Sequence, residues 1–419
     1  LAGWTLAAAI MHDLLMNAVE RTRWVCEQAH AGGFDLCGVA SITTMPAMRG
    51  GHSQDLVDGT FEELAHLPEW LAHGYAGEMN YLRDPRRADP RLALEGGESV
   101  IVVALNYNSS PPYSTELPVT LGDDSPRGWI SRYAWGDDYH EVLREKLDAL
   151  IARMRVQFAG EALEARAYVD TGPIIERIAA KYAGLGWLAK NTSLINEKMG
   201  SWLFLGVIVT TLDLAPSIPP GELPAVDLCG NCRLCLDACP TQAFPAPYVL
   251  DASKCISYLT IELRGALPDE LRSAMGRAVV GCDICQDVCP WNRKSPVTRL
   301  AAFQPRQFVR SAQNGVDHEE NSDSLFAPEL EKLASLTQKE FSQIFRNSAV
   351  KRAKWRGIVR NACVALGNSN VARDSTAHRR VVDLLERLSG GDDPLIAEHA
   401  KWALARLKDH GKGSAPSSD

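Results

Sequence analysis

The chain has 419 residues, 46% of them hydrophobic, and a formal net charge of −8. That length allows about two or three domains of ordinary globular composition. No apolar run is long enough to span a bilayer. The acidic balance argues against a globally basic nucleic-acid binder and leaves room for a local basic surface.

The first residue, Leu1, is not a start residue, and 1–11 is mildly apolar without a basic leader. A secretory signal is therefore not expected, and Met11 or Met16 lies nearer a native start. Residues 18–29 read as a helix, with Ala18, Trp24, Val25 and Ala29 near helical spacing and Gly32-Gly33 ending it. A strand over 34–42 follows, then helical segments at 64–71 and 77–83, then a basic turn at 86–90. The run 99–106 is continuously apolar and suits a buried strand. Residues 109–127 are a Pro/Ser/Gly/Asp loop. Residues 139–157 form an amphipathic helix, 165–170 a short strand ending at Asp170, and Pro173 opens a helix carrying Ile174, Ile175, Ile178 and Tyr182. A further buried strand covers 202–211. Alternating strands and helices predict an α/β domain over 1–224.

After the proline-rich linker 216–224, the cysteines begin. The first run is Cys229-x2-Cys232-x2-Cys235-x3-Cys239-Pro240, Cys255 stands alone, and the second run is Cys282-x2-Cys285-x3-Cys289-Pro290. The first run has the spacing of bacterial ferredoxins, in which three thiolates on one loop bind one cube and the fourth reaches the other. The second run lacks its first cysteine, since Val279 occupies that position, and Cys255 is the replacement. One [4Fe–4S] cluster is assigned to Cys229, Cys232, Cys235 and Cys289. The other is assigned to Cys239, Cys255, Cys282 and Cys285. A zinc ribbon is the bland alternative, and the proline after each run argues against it. Disulfides would need an oxidising compartment, whereas thiols kept as metal ligands predict the reducing cytoplasm. Cys26, Cys37 and Cys363 are left for small buried roles. A ferredoxin-like domain thus covers 225–296, an all-α module 297–410, and a disordered tail 411–419. Helix pairs punctuated by Gly367-Asn368 and Gly390-Gly391 suit a small HEAT-like repeat.

Four further patterns matter. Gly184-Leu185-Gly186-Trp187-Leu188-Ala189 imitates a dinucleotide fingerprint, but a helix precedes it where a strand should. A glycine cap after Tyr182 accounts for it, and the following Lys190, Asn191, Thr192 and Ser193 suit the edge of a large polar cofactor. Asp138-x-His140-x-x-Leu143 is like a corrinoid-ligating histidine motif but has Leu143 where glycine is required, so Asp138 reads as a helix-capping acid. Asp170, before Thr171-Gly172-Pro173, reads as a capping residue or a catalytic acid. As an acid it needs an apolar ligand to offset the pull of a helix N-terminus. Between Arg346 and Arg360 lie Lys351, Arg352, Lys354 and Arg356 without an acid, a density that favours a polyanion. Trp355 among them either stacks or packs.

Together these residues resemble the epoxyqueuosine reductases, from about Phe34 to Trp402. The matching stretches are Ile130-Ser-Arg-Tyr-Ala-Trp-Gly-Asp-Asp-Tyr-His140, Asp170-Thr-Gly-Pro, Ala183-Gly-Leu-Gly-Trp-Leu-Ala-Lys-Asn-Thr192, Gly200-Ser-Trp-Leu-Phe-Leu-Gly206, Cys255-Ile-Ser-Tyr-Leu-Thr-Ile-Glu262, Gly281-Cys-Asp-Ile-Cys285, and Ser348-Ala-Val-Lys-Arg352 with Arg360-Asn361. The resemblance implies a cobalamin-binding N-terminal domain, electrons from the two clusters, and a helical tail that helps hold tRNA. It implies Asp170 as proton donor. Arg87, Ser131, Asp170, Ile195, Gly206, Ser257 and Asp283 fall where the family lines a base-off corrinoid. Arg264, Lys351, Arg352, Arg356 and Arg360 become candidate tRNA contacts. The implied reaction removes the epoxide oxygen of epoxyqueuosine at the wobble position, fed by a flavodoxin- or ferredoxin-like one-electron donor. A monomer that needs no membrane is expected, since no heptad, long exposed apolar stripe or bilayer-length run stands out. A reductive dehalogenase, a plain electron-transfer module and an RNA-binding protein with structural clusters are the alternatives. A leader sequence, corrinoid binding and cobalt-independent RNA binding, respectively, discriminate them.

Overall fold

The computed structural model describes residues 16–42, 61–121, 124–309, 322–373 and 375–409. The readings for 1–11 and for the tail 411–419 lie outside them. The chain divides into two compact units. These do not follow the three-way division drawn at 224/225 and 296/297. Each is assembled from separated stretches of chain.

The first unit comprises Leu1–Asn108, Tyr139–Cys232 and Pro290–Val297. Helix α1 (Ala18–Ala31) opens on a capping box, in which Asn17 accepts from the Val19 and Glu20 amides and Glu20 reaches back. Strand β1 (Leu36–Ser41) and strand β2 (Ser99–Asn106) follow. Next come α2 (Tyr139–Gln157), β3 (Ala165–Tyr168) and α3 (Glu176–Tyr182). The short hairpin β4 (Trp187–Leu188) and β5 (Leu194–Ile195) leads to β6 (Leu203–Thr210). The main sheet has the order β1-β2-β6-β3. Strands and helices alternate as expected, yet every neighbouring pair in this sheet runs antiparallel. The α/β expectation is thereby corrected to α+β, because apolar periodicity reports burial and carries no strand direction.

All eight residues of β2 are buried because helices cover both faces of the sheet. Val100, Val102 and Ala104 pack with Ile178 and Ala179 of α3. On the opposite face a Cβ at Gly206 would meet Leu147 Cδ1 at 3.0 Å, Leu143 Cδ2 at 3.3 Å and Val103. Glycine lets α2 lie directly on β6. Cys26 and Cys37 were expected as separate buried residues. They are half-buried, and their thiols are hydrogen-bonded to each other. Cys363, in the other unit, is fully buried as expected.

The second unit comprises Ser109–Asp138, Arg233–Cys289 and Thr298–Asp419. Its cysteine-bearing part contains the one-turn helices α4 (Leu234–Asp237) and α6 (Ile284–Asp287) and the longer α5 (Ile256–Ile261). The strand Ala278–Val280 pairs in parallel with Trp129–Ile130. The helical part centres on α7 (Lys354–Gly367), buried at every position from Gly357 to Gly367. It packs against α9 (Pro394–Asp409), which also carries α8 (Thr376–Ser389). No described helix is long and apolar enough to cross a membrane.

Candidate functional site

The second cluster set lies wholly in the second unit. Burial pushes the Cys255, Cys282 and Cys285 thiols up. Their neighbours add to this: Cys239 acts on Cys255, Cys285 and Cys255 act on Cys282, and Cys255, Cys235 and Cys239 act on Cys285. Three thiols withdrawn from water, each raised further by a neighbouring thiol, form a costly arrangement unless a cation displaces their protons. Backbone donors already face the sulfurs. The Ser257 and Tyr258 amides point at Cys255, and the Ala243 amide donates to Cys239 Sγ at 3.4 Å. Among the described residues no three acidic, histidine or cysteine side chains converge as ligands of one ion. A cube asks for something else, since its thiolates bind separate corners. The donor set fits an iron–sulfur cluster.

Of the first set, Cys229 and Cys232 belong to the first unit, and Cys235 and Cys289 to the second. The glycine-rich motif proves to be the cradle of Cys229. Burial raises the Cys229 thiol, while the Lys190 amide and the nearby Trp187 indole act to lower it. The Lys190 ammonium caps the Gly230 carbonyl and the Cys232 carbonyl, the latter at 3.0 Å. A Cβ at Gly186 would collide with the Ile195 carbonyl, so glycine closes the β4–β5 hairpin that presents these donors. Lys190 and Asn191 are buried, contrary to the expected exposed polar edge.

A polar cluster surrounds Asp170 in the first unit. Tyr139 Oη donates to Asp170 Oδ2 at 2.9 Å, and His140 Nε2 lies 3.5 Å from the same oxygen. The Tyr139 ring stacks on His140 and on Phe204 of β6, with centroids 4.1 and 4.4 Å away. Both side chains come from the first turn of α2, whose seat is fixed by Gly206. The Asp170 side chain remains 65% exposed, and its backbone is left-handed at φ 54°, a conformation that costs about 1 kcal/mol or more. The capping reading is corrected. The helix begins at Glu176, six residues later than Asp170 and three later than the expected start at Pro173, with Ile175 at its N-cap. The expected pull of a helix terminus on Asp170 therefore does not arise.

Sequence reasoning missed Glu176. Its Oε1 is buried with no hydrogen-bond partner among the described residues. Burial and the nearby Asp170 charge push its carboxyl up to about 7, with Arg87 opposing. An acid in a first helical turn is commonplace in sequence, and nothing local signals its burial. Arg87 is itself buried and lies over the Tyr81 ring, 5.6 Å from its centroid. Arg177 donates to the Thr192 carbonyl at 2.6 Å, holding a residue at φ 63°.

The other corrinoid candidates divide. Ser131 and Asp283 meet and are both buried. The Asp283 carboxylate accepts from Ser131 Oγ, from the Arg132 amide at 2.8 Å and from Trp129 Nε1 at 3.1 Å. Their side chains tie one strand to its neighbour, and packing against α2 accounts for Gly206. Ser257 bonds Cys255, and Ile195 is buried in the hairpin. His140, engaged with Asp170, suits a cobalamin that takes no histidine from the protein. Asp170 and Arg87 are the polar groups that fit such a ligand.

The basic run is not uniform. Lys351, Arg352, Lys354 and Arg356 are exposed. Arg352 pairs with Glu262 at 2.8 Å, Arg264 lies 4.0 Å from the same carboxylate, and Arg356 pairs with Asp393 at 2.6 Å. Trp355 packs, donating to the Leu336 carbonyl at 2.6 Å. Arg360 is corrected outright. It is fully buried, and its guanidinium donates to the Leu259, Leu263 and Gly265 carbonyls. No cation is left there for a phosphate.

Residues 228–292 match the family model described as a 4Fe-4S double cluster binding domain. An α+β unit with an aspartate cluster, joined in one chain to that module, defines an iron–sulfur oxidoreductase. Residues 87–171 match the model described as epoxyqueuosine reductase QueG, DUF1730. The epoxyqueuosine reductase of Pseudomonas aeruginosa is 38% identical over 82% of this chain and 87% of its own. That of Synechocystis is 43% identical over 72% and 94%. A crystal structure of epoxyqueuosine reductase with an epoxyqueuosine-modified tRNA-Tyr stem loop superposes with TM-score 0.73 at 29% identity, covering 93% of this chain and 91% of that one. The Bacillus subtilis enzyme, with its catalytic aspartate loop swung out of the active site, gives 0.72 at 28% identity, covering 93% and 91%. The chain belongs to the epoxyqueuosine reductase family and is an oxidoreductase.

Proposed function

We propose that this chain reduces epoxyqueuosine to queuosine at the wobble position of tRNA, with Asp170 as the proton donor. The observation that carries the reading is the Asp170 carboxylate, held outward on a strained loop residue by Tyr139 and His140. The family membership supports the substrate, as do the modified stem loop bound by one relative and the catalytic aspartate loop of another. The epoxide oxygen leaves as water, a change that takes two electrons and two protons. Base-off cobalamin would supply a low-valent cobalt centre able to act on an epoxide that ordinary hydride donors leave alone. Arg87 and Asp170, with Ile195, are the residues of the first unit that would hold it. The two clusters pass electrons singly from an external flavodoxin- or ferredoxin-like donor.

The chain's own residues manage charge and position. Tyr139 and His140 fix the direction of the Asp170 carboxyl, which protonates the oxygen where alkoxide charge develops. The exposed cations Arg264, Lys351, Arg352 and Arg356, on and near the HEAT-like helical module, supply phosphate contacts for tRNA. The protein acts as a cytoplasmic monomer.

The test is anaerobic incubation of cluster- and cobalamin-loaded protein with epoxyqueuosine-containing tRNA and a strong reductant, followed by nucleoside mass spectrometry. Loss of one oxygen that requires cobalamin is expected. Asp170→Ala should lower the rate by about 10²-fold or more with clusters intact. No conversion by the fully loaded wild type overturns the reading.

A further inference from the structure

Two protons must reach one departing oxygen, and a single carboxyl carries one. Glu176 stands next to Asp170 and differs from it in exposure and in hydrogen bonding. Asp170 is turned outward, 65% exposed. Glu176 is turned inward, with Oε1 buried and unpartnered among the described residues. The backbone amides of Asp170 and of Glu176 itself point at the Glu176 carboxylate. The loop between them is tight, since a Cβ at Gly172 would meet Tyr168 at 2.5 Å. A buried carboxylate oxygen without a donor is unfavourable as an anion and is relieved by holding a proton. The charges acting on it are Asp170, which favours that proton, and Arg87 and Arg177, which oppose it together with the two amides, while burial favours it most. Its neighbour Arg177 is turned to Thr192.

We propose that Glu176 stores the second proton and passes it to Asp170 after Asp170 has made its first transfer. The inference rests on the proposed function and extends it. The steps balance. Asp170 gives its proton to the oxygen as the first C–O bond breaks, leaving a hydroxyl. Glu176 transfers its proton to the Asp170 carboxylate. Asp170 then protonates the hydroxyl, which leaves as water as the second C–O bond breaks and the alkene forms. The one-electron donor supplies both electrons through the clusters, and solvent reloads both acids. Glu176 acts through Asp170 and does not touch the substrate.

The experiment measures single-turnover conversion by the loaded enzyme across roughly pH 6 to 9, at several concentrations of imidazole buffer. Wild type should be independent of buffer, with a rate that falls as pH rises through about 7. Glu176→Gln should be slower by about tenfold near neutrality, should lose that inflection, and should recover as imidazolium is added. Glu176→Asp, which keeps a proton to give, should remain independent of buffer. Cluster absorbance verifies that both variants are folded. Infrared difference spectra should show a protonated-carboxyl band in wild type at neutral pH that Glu176→Gln lacks. A Glu176→Gln enzyme with the wild-type rate and inflection overturns the relay. So does one that is slow but not rescued by buffer, because that pattern marks a structural role. If wild type converts nothing at any pH, the proposed function falls as well.

Discussion

At the residue scale, the same stretch of sequence can carry a cofactor's edge or a cluster's support, and only the neighbours decide. The motif from Gly184 to Thr192 looks like a nucleotide loop, and its lysine and indole instead face Cys229 and the loop around it. Hydrogen bonds and positive charge near cluster sulfurs favour the reduced, more negative state. Lys190→Met should therefore lower the midpoint potential of the cluster assigned to Cys229, by something on the order of tens of millivolts. A redox titration followed by electron paramagnetic resonance reads this directly, and an unchanged potential would leave Lys190 a purely structural clamp. The cysteine spacing was legible because a cube demands a local loop geometry that can be written as intervals. Glu176 was illegible because its burial and its closeness to Asp170 are properties of the folded unit.

At the scale of elements, most of the strands and helices were readable, and their direction was not. Residues 139–157 and 99–106 fold within the bounds their periodicity indicates. Nothing in an alternating or continuous apolar run states whether its neighbour runs with it or against it, so the antiparallel sheet emerges only from pairing. Gly206 shows a related blind spot, since a glycine in a motif reads equally as room for a ligand or room for a helix. The contacts with Leu143 and Leu147 favour the helix. Gly206→Val should destabilise cobalamin-free protein by about 1–3 kcal/mol through overpacking. Thermal denaturation without added cofactor checks it. An unchanged midpoint, with cobalamin binding lost, would return Gly206 to the ligand.

At the scale of the whole molecule, the net charge of −8 hides a separation of roles among the cations. Lys351 and Lys354 are exposed, Arg352 and Arg356 are exposed but paired with carboxylates, and Arg360 is enclosed. Exposed ion pairs contribute little to stability, on the order of 0–1 kcal/mol, so their arginines can exchange a carboxylate for a phosphate. Replacing Lys351 and Arg352 with alanine together should weaken tRNA binding and reduce the slope of log affinity against log salt by about 1–2. Filter binding across salt concentrations measures it, and an unchanged slope removes this face from the interface. Sequence spacing could nominate the basic run, but it could not tell a solvated guanidinium from an enclosed one.

Arg360 and Asn361 have a consequence for anyone hunting mutations. From adjacent positions on α7, Arg360 holds three carbonyls and Asn361 holds those of Thr260 and Val279, at 2.9 and 2.8 Å. Leu259 and Thr260 belong to α5, the helix that begins immediately after Cys255. A lesion at Arg360 maps to the module expected to hold RNA, yet its damage is delivered to the helix that follows a cysteine assigned to a cluster. In a genetic screen scored by missing tRNA modification, such an allele would be filed with the binding mutants. The iron-to-protein ratio of the purified product is what would move it to the right drawer.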